Sequence, residues 1–218
     1  MRRHVWLLAL FVTVGMGCSS APFDPSQDPR EDSAYSRPEY QSTHAPWGSV
    51  FVRSVTDRRP SFELGKENYL NDSWYAESLF THPVPLTLKR LIERELATSG
   101  VMTLAEDEGS AKYLIDLVIV HFTAHADRDL IGLIPVIPTV AVNGLIDVKL
   151  RMTDQDGRPF LDVRYQDTEE AMAATVSGIE ATGSQVLLKA LSRVMARVVK
   201  DIDQAVPRFW KELGMPVQ

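Results

Sequence analysis

The chain has one cysteine in 218 residues. A disulfide inside the chain and a cysteine-cluster zinc site are therefore both excluded. There is no run of about 20 apolar residues, so no segment reads as a helix spanning a bilayer core. Basic charge is also short: 23 Lys and Arg stand against 29 Asp and Glu, a formal charge of −6. That balance speaks against a general nucleic-acid binder, which carries a basic stripe or a basic excess. No GxSxG element, phosphate-binding glycine loop or dinucleotide fingerprint occurs. Apolar residues make up 44% and charged residues 24%, the balance of a globular domain and not of a wholly disordered chain.

The first twenty residues have a clear order. Arg2, Arg3 and His4 are basic, and Val5 to Val14 form a short apolar run. Gly15, Met16 and Gly17 precede the single cysteine, Cys18. A basic start, a short apolar stretch and small residues before a cut are the parts of a secretory signal. This stretch resembles the bacterial lipoprotein signal, whose lipobox ends in a small residue followed by cysteine. The resemblance implies cleavage between Gly17 and Cys18 and a diacylglyceryl group on the Cys18 thiol, with acylation of the new N-terminus. Gly15 stands where that pattern usually has Leu. Ser19, in place of an inner-membrane-retaining Asp, implies an outer-membrane lipoprotein facing the periplasm. Two or more acyl chains hold a protein durably on a membrane, where one does not. Residues 1–17 are thus expected to be signal peptide, and the covalent lipid on Cys18 is the only non-protein group expected.

Residues 19–46 carry five prolines among Ser, Asp, Glu and Gln. With few apolar side chains to offset ordering entropy, 18–46 reads as a lipidated N-terminus and disordered tether. From residue 47 the pattern changes. Ser49 to Asp57 reads as a strand, and 58–83 as a polar loop. Leu88, Leu91, Ile92 and Leu96 recur at helical spacing, ending at Gly100. Val101 to Ala105 reads as a short strand. Lys112 to Ala126 is apolar on both sides and reads as a central strand. Val140 to Met152 alternates, Asp154 to Gly157 makes a turn, and Phe160 to Glu169 returns as a hairpin partner. Leu187, Leu191, Val194, Val198 and Ile202 mark a long amphipathic helix over 180–205, with Pro207 as its stop. The expectation is an α+β fold: a mostly antiparallel sheet with two helices on one face, over 47–207, then a tail at 208–218.

Val55, Asp57, Arg58, Arg59 and Gly65, with the central YLIDLVIV strand, the meander and the long last helix, resemble the YajG family of outer-membrane lipoproteins. The likeness spans residues 48–205. It brings no catalytic residues to this chain. The outline is also similar to auxiliary lipoproteins of envelope lipid transporters.

Few residues suggest chemistry. His121 and His125 could clasp a metal on a helix, but on a strand they stand about 13 Å apart. Asp154 and Asp156 with Gly157 open like a calcium loop, yet the later ligands are missing, and a hairpin turn accounts for them. Asp57, Arg58 and Arg59 could hold an anion or form a strand-end ion-pair cluster. No metal site and no catalytic residue is expected. One loop is unusually apolar: Leu130, Ile131, Leu133, Ile134, Val136 and Ile137, between two strands. It either folds back over the sheet or forms an exposed lip for an envelope protein, a bilayer or a lipid chain. The sequence therefore points to a non-catalytic, lipid-anchored accessory protein that binds another envelope component. The alternative is a lipid-handling auxiliary part of a lipid-transport system, using the sheet–helix crevice. The expected partners are the membrane and an envelope protein, not nucleic acid.

Overall fold

A computed structural model describes residue 24 and residues 34–64, 67–69, 72–75, 80–127, 140–173 and 178–216. Cys18 and its flanks lie outside these residues, as does the apolar loop at 130–138.

The strands are β1 (Ser49–Asp57), β2 (Glu67–Tyr69), β3 (Asp72–Tyr75), β4 (Thr103–Leu104), β5 (Tyr113–Asp127), β6 (Val140–Asp154) and β7 (Pro159–Ala173). The helices are α1 (Val84–Thr98) and α2 (Ile179–Glu212). Five strands lie side by side in the order β7-β6-β5-β1-β4. The short β2-β3 pair extends the sheet from the far half of β5, beyond the end of β1. The α+β expectation holds, and the sheet is mixed. β1 runs parallel to β4 and β5, while the other pairings are antiparallel. The chain leaves β1, passes through α1 and returns as β4, and such a crossover gives parallel neighbours.

β5 is central, as its two-sided apolar pattern implies. One edge pairs with β6 throughout, and the other is shared by β1 and β3. On β6 the alternation sends Val140, Val142, Ile146, Val148, Leu150 and Met152 into the core. α1 packs on β1 and β4, α2 packs on β7, β6 and β5, and the helices touch each other. Gly144 allows a close approach of helix to sheet. A Cβ there would stand 3.0 Å from backbone atoms of Val186 and Leu187.

Three sequence expectations change. The stretch 58–83 is not all loop: a 3-10 turn at Ser61–Glu63 and the strands β2 and β3 fall within it. Pro207 does not end α2, which continues to Glu212. A proline removes one helical hydrogen bond, but Val206, Phe209 and Trp210 are buried on both sides of it and carry the helix through. The expected tail therefore begins as helix.

The third change concerns the tether. Residues 34–47 form a strap along the α1–α2 groove. Tyr35 is only 2% exposed, and Trp47 is buried with it. The Ser36 amide donates to Ser192 Oγ of α2 at 2.9 Å, and the Ser42 amide to the Ser99 carbonyl at the end of α1 at 2.8 Å. Burial of its aromatic side chains offsets the ordering entropy that the proline and serine content alone would leave uncompensated.

Candidate functional site

The end of α2 and the start of β7 enclose a crevice of about 350 Å³. Its position follows from a local irregularity. Met152 pairs with Leu161 and Thr153 with Pro159, which leaves Phe160 as the extra residue of a bulge. Phe160 stacks on Phe209 at 4.7 Å between centroids and meets Tyr113 edge-on. β7 pairs only with β6, so its outer edge is open among the described residues.

The wall is apolar: Phe160, Leu161, Val163, Ala205 and Phe209. The rim is polar, with Asp201, Gln204, Arg208 and Glu212. Behind it the buried Tyr165 hydroxyl is pushed above the ordinary tyrosine range, by burial first and then by the carboxylate of Asp201. Farther along, Asp167 binds Arg193 and Arg197, which closes the space between β7 and α2 there. The crevice is therefore confined to the last turns of α2. An apolar wall with a rim of both charges suits a short apolar group carrying a polar end. No nucleophile paired with a base faces it among the described residues.

The residues that the sequence singles out do not converge on this crevice. Asp57 binds Arg59 through both carboxylate oxygens at the end of β1. Burial raises the Asp57 carboxyl, but the Arg59 hydrogen bonds outweigh it and hold the group below the usual range. This is the ion-pair reading, and it occupies the acid. His121 lies against Glu63, with Nδ1 2.6 Å from Oε1. Glu63 is 1% exposed and also accepts the Phe122 amide, at 3.2 Å. Asp154 and Asp156 are both taken by Arg158, and Gly157 makes the hairpin turn at φ +79°. Among the described residues no three His, Cys, Asp or Glu side chains form a group able to hold a metal.

Sequence reasoning misses the wall of the crevice and the strap. It puts Phe209 in a tail and Phe160 at a strand end, so their stacking is invisible to it. The strap does leave a signal. Tyr35, Tyr40, His44 and Trp47 crowd rings into a segment that a solvated leash has no use for.

No family model matches the sequence, and no curated protein matches it. The chain is similar in structure to protein XCC0632 from Xanthomonas campestris, of the family DUF330. The TM-score is 0.51 at 10% identity, over 79% of this chain and 94% of that one. It is also matched to the hypothetical protein CT253 from Chlamydia trachomatis, with TM-score 0.45 at 10% identity over 75% and 98% of the two chains. A third is the uncharacterized lipoprotein B from Nitrosomonas europaea, with TM-score 0.40 at 13% identity over 82% and 99%. The Xanthomonas match shows a shared fold. The other two resemble this chain in outline only.

Proposed function

We propose that this chain is a lipid-anchored, non-catalytic lipoprotein of a bacterial envelope, held at the outer membrane and facing the periplasm, where it acts as an accessory binding protein for another envelope component. The observation that carries the reading is the order of residues 1–18: basic start, short apolar run, small residues, then the only cysteine. The likeness to the YajG family belongs to this reading. Among the described residues no helix is long and apolar enough to cross a membrane, and attachment through Cys18 asks for none. Labelled palmitate is expected to enter the wild-type chain and not Cys18→Ser. Equal labelling of the two, or none in either, defeats the anchor. Crosslinking from position 133 or 136 in intact cells is expected to trap one envelope protein that a domain-deleted chain does not trap. Its absence defeats the accessory role.

A second reading, lipid handling in an envelope transport system, is favoured by the crevice between β7 and α2. Its volume holds one acyl segment rather than a whole lipid. Native mass spectrometry of the detergent-purified chain is expected to show a bound lipid mass that Val163→Arg removes. A wild-type chain that flies empty rules this reading out.

A further inference from the structure

Beside the crevice, β7 offers backbone as well as side chains. The Asp154 amide donates to the Arg158 carbonyl at 3.1 Å, and the Asp154 carbonyl accepts from the Gly157 amide at 3.0 Å, so the backbone of Asp154 faces β7. In an antiparallel strand every second residue faces the same neighbour, so Met152, Leu150 and Val148 face β7 too. Their partners Leu161, Val163 and Tyr165 face β6 in return. The residues in alternation with these, Asp162, Arg164, Gln166 and Thr168, therefore turn N–H and C=O toward the outer edge. Arginines of α2 bear this out and close part of that edge. Arg197 donates to the Gln166 carbonyl and Arg193 to the Thr168 carbonyl, each at 3.0 Å. Cover of this kind keeps an exposed strand from pairing with other chains.

The cover stops short of the crevice. Among the described residues no strand or side chain takes up the outward N–H and C=O of Asp162 and Arg164. The uncovered stretch is thus the one that borders the apolar wall of Leu161 and Val163. The helix facing it has an ordered set of side chains. α2 runs back along β7: Arg197 meets Gln166, the Asp201 carboxylate acts on Tyr165, and Phe209 stacks on Phe160. Ala205 therefore falls beside Val163, with Asp201 on one side of it and Arg208 on the other. All three lie on one helix face and line the crevice. Among the described residues neither Asp201 nor Arg208 is in an ion pair, and Glu212, one turn beyond Arg208, does not bridge to it.

We propose that residues 161–165 of β7 accept an extended peptide segment of a partner protein as an added strand, which places an apolar side chain in the crevice beside Ala205, a basic one at Asp201 and an acidic one at Arg208. Alternate side chains of a strand share a face, so a basic-x-apolar-x-acidic order in the segment meets the acid, alanine and arginine of the helix in turn. In recognition of this type main-chain hydrogen bonds give affinity, and pockets for alternate side chains give specificity. An acyl chain fills the same apolar wall but offers nothing to the backbone groups of Asp162 and Arg164. Strand addition rests on the accessory-binding reading, and it names the kind of partner that reading leaves open.

The probe is a display library of random heptapeptides, presented to the full chain in detergent. Enrichment of the basic-x-apolar-x-acidic order is expected. An enriched peptide is expected to slow hydrogen exchange at the Asp162 and Arg164 amides and to leave the Thr168 amide unchanged. N-methylation of the peptide at alternate residues, in the phase that faces β7, is expected to weaken binding at least about tenfold, and in the other phase less than about twofold. Asp201→Lys is expected to weaken binding at least about tenfold, and a peptide with an acid in place of its base is expected to restore it. No enriched order, or equal binding in the two N-methyl phases, overturns the added strand. So does a dimer in sedimentation whose Asp162 and Arg164 amides are protected without peptide, which gives the edge to a second copy. A bound lipid that the peptide does not displace overturns it as well. An envelope protein trapped from position 133 that leaves these amides exchanging freely keeps the accessory role and overturns the edge site. A chain that binds the peptide yet traps nothing from position 133 keeps the edge site and loses the accessory role.

Discussion

Glu63 shows how a single side chain ties a short turn to the sheet. Its carboxylate is buried against β5 and serves both the His121 ring and the Phe122 amide. Truncation leaves that amide without a partner in a dry setting, which costs about 1–3 kcal/mol. Glu63→Ala is expected to lower the urea midpoint accordingly, and Glu63→Gln by less, since an amide oxygen still accepts. Asp116 gives a second measurement at this scale. The hydrogen bond from Arg53 is the largest influence, followed by burial working against it, and the carboxyl is held below its usual range. Its stabilisation is therefore present above the ordinary carboxylate range and lost as pH falls through the depressed value. Stability measured from pH 5 down to pH 2 is expected to fall less steeply in Asp116→Asn than in wild type. Both partners are partly exposed, so added salt is expected to shrink the difference.

At the scale of elements, helix and sheet meet through glycine. α2 has 34 residues and β7 has 15, and both come to about 50 Å, so the helix runs the length of the β6–β7 hairpin. Contact that close over that length needs a gap in the side chains, and Gly144 supplies it. Gly144→Ala is expected to destabilise the fold by about 1–3 kcal/mol, because the obstacle is helix backbone and cannot rotate away. Gly183→Ala is expected to cost less, since its neighbour at 3.2 Å is the Ala124 side chain. Thermal unfolding of the two variants orders them. Much of this layer is legible in the sequence. Period-two alternation over 140–152 and the apolar stripe of α2 depend on burial, and burial follows residue type directly. β2 and β3 are not legible, because strands of three and four residues fall below the length at which alternation carries a signal. The run of α2 through Pro207 is hidden too. Local propensity argues for a stop there, and tertiary burial of Phe209 and Trp210 overrides it.

Across the whole molecule, the strap makes the N-terminal segment part of the domain. Removing residues 34–47 takes Tyr35 and Trp47 out of the core and is expected to cost at least about 3 kcal/mol. A circular dichroism melt of a chain that starts at residue 48, set against wild type, tests this. The candidate site is less readable than the fold for a related reason. The crevice is made by Phe160 and Phe209, and the contact of the strap with α2 by His44 and Asp203, 159 positions apart in the chain. Neither pair shares an element, so no periodicity links them. The features that the sequence does mark, Gly17 with Cys18 and the loop at 130–138, are runs of consecutive residues that lie outside the described residues.

The distance along the chain between the strap and Asp203 also orders the events of synthesis. Ribosomes and export channels deliver a polypeptide from its first residue. Tyr40, His44 and Trp47 thus emerge long before the helix that receives them exists. Until the final turns of α2 are made, residues 34–47 have nowhere to settle. Closure of the strap is therefore among the last steps in building the domain.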